Sequence, residues 1–301
     1  MIYEYAIEPE LLSSWNNFQR IISLFGLAKG RLISRFPKRW EKMVYDSYAS
    51  GNTERSRIEI ALKRVQRELL LPRKHNWSEN DFWIDNAKLE HARSPFKAIL
   101  ATKADPAFSF VIDATDLDHT ALPELLKAGP SKIVLRTANE IGLAVRPLFL
   151  MSKRITIVEP NFTINSPRFL EPWASIMQSL RDTQGNLRTD LSIELHMGAD
   201  KLSEFVNPQS SLEAKLGTLV PAGNRVTVVS LPKEDVHNRY ILTDTAGIQL
   251  GEGIGLPDSL SNRTDDTLCF MDRDTATHLL AKHSQLSANK ANYVIVGTMR
   301  P

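Results

Sequence analysis

The spacing of apolar residues predicts a first half of the chain that is mainly helical. Residues 53–71 place apolar side chains at helical spacing with arginine and lysine opposite them, which is typical of an amphipathic helix that ends before Pro72. These apolar positions are Ile58, Ala61, Leu62, Val65 and Leu69. A second helix is predicted over residues 132–145, stopped by Pro147. Residues 108–113, FSFVID, instead have the pattern of a buried strand that runs into an acidic loop.

From residue 148 onward, short apolar runs alternate with helical segments. The run 155–158 ends at Glu159, Pro160 and Asn161, as a buried strand does when it emerges into a functional loop. Further strands are predicted at 191–195, 226–231, 237–243, 247–251, 267–270 and 293–296, and helices at 167–180 and 274–283. This alternation predicts an α/β fold, a mixed β-sheet sandwiched by helices. We therefore predict a mainly helical domain over residues 1–147 and an α/β domain over residues 148–301, each of ordinary domain size.

The composition is that of a soluble globular protein. Hydrophobic residues make up 42% and charged residues 24% of the 301 positions. No apolar run reaches the roughly 18 residues that could cross a bilayer, and the segment MIYEYAIEPELL has no basic leader before an apolar core. The single cysteine, Cys269, excludes an internal disulfide framework, and its setting predicts a buried strand residue. These features favour a cytoplasmic protein.

Positive charge is concentrated in the first third of the sequence. Residues 1–103 hold 18 Lys or Arg against 12 Asp or Glu, whereas the remainder holds 19 against 23. The densest stretch, KGRLISRFPKRWEK, interleaves Phe36 and Trp40 with cations that could neutralise the phosphates of DNA or RNA. Those cations are Lys29, Arg31, Arg35, Lys38, Arg39 and Lys42. A solvated helix face explains such a stretch equally well.

The segment HNRYILTDTAGIQLGEGIG, which runs from His237 to Gly255, carries the most informative chemistry. Side chains alternate along a strand, so His237 and Arg239 share one face. A nucleophile or proton carrier then stands beside a phosphate-binding cation. This pairing predicts phosphodiester chemistry.

The same segment resembles the phospholipase D superfamily. Members carry HxK, four residues, an aspartate, six residues and a glycine; His237, Arg239, Asp244 and Gly251 fit that spacing. An acidic residue on the following strand is matched by Asp265. The earlier stretch IVEPNF is similar to the family's strand that ends in a DPYF-like loop. The resemblance covers residues 148–301 and leaves the first half outside.

The resemblance implies a metal-independent phosphodiesterase that needs no cofactor. His237 would attack phosphorus to give a phosphohistidine, and Arg239 would clamp the phosphate. Asp265, in preference to Asp266, would fix the imidazole tautomer, and Asp244 would support the motif strand. A second histidine would protonate the leaving oxygen, and because only one motif is present it would come from another copy in a homodimer.

Three positions depart from the family pattern. Arg239 replaces the lysine, Glu252 stands where a serine is usual, and Gly255 stands near the usual asparagine. A carboxylate aimed at a phosphate would repel it, so Glu252 points away, pairs with Arg239 or marks a different substrate. The sequence does not choose among these.

The sequence is compatible with two functions. The first is a nuclease for DNA or RNA; by analogy with single-motif bacterial members it would serve in defence or restriction with partner proteins from the same operon. The second is a catalytically silent nucleic-acid-binding or scaffold protein. A third kind of site, a magnesium site formed by Asp113, Asp116 and Asp118, is weaker because acidic loops after strands are common.

Overall fold

The computed structural model describes residues 2–48, 53–115, 117, 122–258, 264–288 and 290–300. The chain divides into two compact units between Pro130 and Ser131. The predicted boundary after residue 147 lies inside a helix of the second unit, and it therefore comes 17 residues too late. Within the described residues, no helix is long and apolar enough to span a bilayer.

The first unit is built around a parallel β-sheet that the sequence analysis did not predict, so the prediction of a mainly helical domain is not confirmed. Its five strands lie in the order β3-β2-β1-β4-β5. The strands are β1 (Tyr3–Ile7), β2 (Arg31–Ser34), β3 (Leu70–Leu71), β4 (Ala98–Ala101) and β5 (Val111–Asp113). The helices are α1 (Trp15–Ile22), α2 (Trp40–Asp46), α3 (Thr53–Glu68) and α4 (Trp83–Arg93). The predicted helix from residue 53 is confirmed as α3, and the predicted strand near residue 110 as β5.

Helices cover both faces of this sheet, which explains its uninterrupted apolar strands. Tyr5 and Ile7 of β1 pack with α1, α2 and α3 on one face, whereas Ala6 packs with α4 on the other. Every residue of β2 and β4 is buried. Strands buried on both faces lack the alternating pattern that identifies a strand, so they cannot be told from helical segments by periodicity.

The second unit contains a mixed sheet of eight strands flanked by helices, which confirms the predicted α/β class. The strand order is β13-β9-β8-β7-β10-β11-β12-β6. The strands are β6 (Ser131–Leu135), β7 (Arg154–Val158), β8 (Ser192–Gly198), β9 (Arg225–Leu231), β10 (Arg239–Thr243), β11 (Gly247–Leu250), β12 (Asp265–Met271) and β13 (Ala291–Val296). The helices are α5 (Ala138–Met151), α6 (Pro167–Gln178), α7 (Pro208–Leu216) and α8 (Arg273–Ser287).

Two sequence predictions in this unit are wrong in detail. Residues 131–135 form an edge strand, and the helix that follows continues through Pro147 to Met151. A proline inside a helix removes one backbone hydrogen bond but does not always end it. Cys269 is exposed, because it lies on the face of β12 opposite the buried Leu268 and Phe270.

Alternation along the central strands decides which side chains meet. Val158, Tyr240 and Leu242 pack with α8 on one face of the sheet. Their neighbours Glu159 and Arg239 therefore project toward the other face, on which α5 packs, with α6 packed against α5. The candidate site lies on that second face.

Candidate functional site

His237 and Arg239 lie at the start of β10. The strand begins at Arg239, so the strand predicted from residue 237 is two residues too long at this end. His237 is exposed in the preceding loop, and its ring contacts no described residue through a hydrogen bond or ion pair. The Arg239 side chain is 29% exposed, and its Nη1 lies 3.5 Å from the carbonyl oxygen of Gly251. Both side chains are accessible to a ligand.

The carboxylate of Glu159 lies beneath Arg239, directly after the end of β7. Arg239 Nε is 3.8 Å from Glu159 Oε1. The backbone N–H of Asn161 donates to Oε1 at 3.2 Å, and that of Ile254 donates to Oε2 at 2.9 Å. Glu159 thus connects the motif strand to the loop that follows β11.

That loop contains three glycines in close contact with acidic side chains or an aromatic ring. Gly253 adopts φ +84°, where other residues are strained, and a Cβ on it would overlap Glu159 Oε2. A Cβ on Gly251 would lie 2.6 Å from Asp266 Oδ1. One on Gly255 would lie 2.8 Å from a phenylalanine ring. The glycines therefore let the backbone approach these groups closely.

Asp266 and Arg136 anchor the same loop from β12 and the residue after β6. Asp266 Oδ1 accepts the backbone N–H of Glu252 at 3.0 Å and that of Thr267 at 2.7 Å. Arg136, which is 4% exposed, donates from Nη2 to the carbonyl oxygen of Gly255 at 2.6 Å. The loop is thus fixed by two buried charged side chains, one on β12 and one directly after β6.

Burial raises the pKa of both carboxyl groups under the loop. For Glu159 the rise is opposed by two backbone N–H donors and by the positive charge of Arg239. For Asp266 the pKa is also raised by burial; backbone N–H donors and Arg136 oppose the rise, and the negative charge of Glu252 adds to it. Raised carboxyl pKa values in a polar cluster are typical of functional sites, although structural networks show them too.

The three aspartates considered in the motif analysis, Asp244, Asp265 and Asp266, lie in different surroundings. Asp265 is exposed, whereas Asp266 is the one that faces the glycine loop. The family spacing prefers Asp265, and the geometry does not support that preference. Asp244 lies at the far end of β10, where Oδ1 accepts the backbone N–H groups of Lys153 and Arg154 at 3.0 and 3.2 Å. That position fits a supporting role at the start of β7.

No second histidine joins His237 within the described part of the chain. His196 and His283 are buried on the opposite face of the sheet, with ring centroids 5.3 Å apart. The others lie elsewhere: His278 is exposed on α8, His75 and His91 belong to the first unit, and His119 lies outside the described residues.

The basic stretch of the first unit is less available to a polyanion than its sequence indicates. Phe36 and Trp40 are fully buried in core clusters, so neither can stack on a base. Arg31 is 7% exposed and donates to the backbone. Three cations form ion pairs within the unit: Arg35 with Glu41, Arg39 with Glu79 and Lys42 with Asp46. Lys29 donates to a carbonyl oxygen, and Lys38 is exposed.

The charge asymmetry also disappears at the observed boundary. Residues 1–130 hold 19 Lys or Arg against 17 Asp or Glu, and residues 131–301 hold 18 against 18. Five acids between residues 104 and 130 account for most of the change. Net charge therefore gives no reason to assign nucleic-acid binding to the first unit.

No metal-binding cluster of three or more His, Cys, Asp or Glu side chains is present among the residues that the structure describes. Asp113 of the acidic loop accepts hydrogen bonds from the backbone N–H and the hydroxyl of Thr115. Asp116 and Asp118 lie outside the described residues.

Comparison with known proteins gives only distant structural likenesses. No family model and no curated protein matches the chain. The solved structure of Nuc from Salmonella typhimurium, a phospholipase D family member, matches 54% of this chain and 97% of its own at 8% identity, with a TM-score of 0.34. TrmBL2, an archaeal chromatin protein whose structure shows a mode of DNA binding, matches 53% of each chain at 11% identity, with a TM-score of 0.31. At such scores neither likeness bears on activity.

Proposed function

We propose that the second unit is a phospholipase D-like module that binds phosphodiester groups of DNA or RNA through Arg239 and His237 and does not hydrolyse them. The observation that carries this proposal is the accessibility of both side chains beside a fixed glycine loop. A guanidinium donates charge-assisted hydrogen bonds to phosphate oxygens, and an adjacent imidazole adds a further donor.

The surroundings of His237 support binding over catalysis. A nucleophilic imidazole is oriented by an acceptor that fixes its tautomer. Neither aspartate accepts from the ring of His237: Asp265 is exposed, and Asp266 accepts backbone N–H groups at Oδ1 while its buried Oδ2 has no hydrogen-bond partner among the described residues. The N–H groups of Glu252 and Ile254 already donate to Asp266 and Glu159. They are not available to stabilise charge that develops on a reacting phosphate.

Replacing Arg239 by alanine is expected to weaken binding of a 20-nucleotide DNA or RNA by about tenfold, because a charge-assisted hydrogen bond contributes roughly 1.5–3 kcal/mol. Fluorescence anisotropy in excess EDTA measures the dissociation constants. Arg225→Ala is the matched control, since Arg225 is exposed at the start of β9, two strands away from β7 and the site. Equal affinities of the two variants would contradict the proposal.

Hydrolysis is the second candidate, favoured by the exposed ring of His237. It requires a histidine from a second copy of the chain, hence a homodimer. Cleavage that survives EDTA and disappears in His237→Asn would establish it, whereas a monomer by light scattering at micromolar concentration would argue against it. Intact oligonucleotide after incubation with a dimeric protein supports the silent module.

A further inference from the structure

Positive and hydrogen-donating groups converge on the carboxylate of Glu159. Ile254 N–H and Asn161 N–H donate to its two oxygens, and Arg239 Nε lies 3.8 Å from Oε1. The positive charge of Arg168 also acts on it. The Glu159 side chain is only 2% exposed, so the protein itself supplies these partners.

This set of donors is the kind that holds a phosphate in other proteins. Backbone N–H groups of a glycine-rich turn form anion-binding concavities, and a guanidinium commonly completes them. Here the negative charge at their centre belongs to a side chain of the same unit. Gly253 permits this arrangement, because any side chain at that position would overlap the carboxylate.

We propose that Glu159 is a resident anion that occupies the phosphate position of this site and limits its affinity for phosphodiesters. The inference rests on the proposed function, since it concerns the same site. A ligand phosphate must share Arg239 with Glu159 or displace its carboxylate. Like charges repel more strongly in a buried site than in water, so the occupied site binds phosphates weakly and reversibly.

Replacing Glu159 by glutamine removes the charge and keeps the shape, and the amide oxygen can still accept one backbone N–H. The affinity for a 20-nucleotide DNA is expected to increase about tenfold, since one repulsive charge within a few ångströms of a phosphate is removed. Glu159→Ala, which also empties the position, is expected to give the same gain. Anisotropy measures the affinity, and circular dichroism verifies folding of each variant.

Glu213→Gln provides the matched control for loss of one negative charge, because Glu213 is exposed on α7, which packs on the edge strand β13. Its affinity is expected to equal that of the unchanged protein. A further variant combines Glu159→Gln with Arg239→Ala and is expected to lose the gain.

The outcomes separate this inference from the proposed function. If the unchanged protein binds and Arg239→Ala weakens it, but neither folded Glu159 variant binds more tightly, then Glu159 is only a structural support for the glycine loop and the inference is overturned alone. If neither the unchanged protein nor the Glu159 variants bind any oligonucleotide, both the inference and the proposed function are overturned.

Discussion

Replacing Gly253 by alanine is expected to lower the free energy of unfolding of the second unit by about 3 kcal/mol. Two terms add. A residue with a side chain costs roughly 1–2 kcal/mol at positive φ, and Gly253 has φ +84°. The new Cβ would also overlap Glu159 Oε2 and lie 2.8 Å from Arg239 Cδ. Because Glu159 is buried, it cannot move aside without losing the N–H of Ile254.

The variant Gly185→Ala distinguishes the cost of the backbone conformation from the cost of the overlap with Glu159. Gly185 has a similar φ of +88°, yet nothing lies within 4 Å of a Cβ built on it. Gly185→Ala is therefore expected to lower the free energy of unfolding only by the cost of the backbone conformation. Hydrogen exchange of peptides from residues 131–301 in increasing urea measures both losses. Equal losses for the two variants would show that the Glu159 carboxylate is not held tightly against the loop.

The close packing at Gly253 also shows how far sequence can predict such a site. The spacing of His237, Arg239 and the glycines places the motif on a strand followed by a tight loop, and β10 and β11 form as that pattern predicts. Alternation along β10 accounts for the face that Arg239 occupies, whereas His237 lies in the preceding loop. These are local features, so sequence is sufficient to predict them.

The sequence also contains the pattern that distinguishes Asp266 from Asp265. In TDDTLCF, Leu268 and Phe270 are the apolar members of an alternating strand, and residue 266 shares their parity. Asp266 is therefore the aspartate that projects toward the covered face. The family spacing favoured Asp265, but the alternation of the strand outweighs a spacing that a one-residue insertion can shift.

Other contacts could not be predicted, because they join residues far apart in sequence. Arg136 reaches Gly255 across 119 positions, and Glu159 reaches Ile254 across 95. The parallel sheet of the first unit was missed for a related reason. Its strands have two to five residues each, too few to establish a period, and β1 pairs with β2 and β4, from which helical segments separate it in the sequence.

The basic stretch shows why charge along the sequence is a poor guide to a binding surface. Residues 31–42 cross from β2 into α2, so Phe36 and Trp40 enter two core clusters while neighbouring cations meet acids of the same unit. The sequence records the cations, but the fold decides which of them face a partner. Site-directed tests therefore belong at Arg239 rather than in this stretch.

A buried cluster around His283 predicts how the free energy of unfolding of the second unit changes with pH. On the face of the second sheet covered by α8, His283 is 4% exposed and its ring packs against those of His196 and Tyr240. His196 Nε2 lies 2.9 Å from Glu194 Oε2, and Glu194 pairs with Arg154 at 3.2 Å. The Nδ1 atom of His283 has no hydrogen-bond partner among the described residues.

Burial, helped by the nearby charges of His196 and Lys282 and opposed by Glu194, lowers the pKa of His283 to about 4. In the unfolded chain its pKa is about 6.5. The unfolded state therefore binds the proton more readily. The stability contributed by neutral His283 is complete above about pH 6.5 and is lost progressively as the pH falls toward 4.

Replacing His283 by methionine is therefore expected to reduce the loss of unfolding free energy between pH 7 and pH 4.5 by about 2 kcal/mol, as the two pKa values imply by linkage. Urea unfolding at both pH values, followed by hydrogen exchange in residues 131–301, measures the difference.

The raised carboxyl pKa values of Glu159 and Asp266 act in the opposite direction, but they are common to both proteins and cancel in the comparison. His278→Gln on the exposed side of α8 is the control and is expected to leave the pH dependence unchanged. If His283→Met and the unchanged protein lose equal stability over this range, protonation of the buried histidine does not govern the acid sensitivity of the second unit.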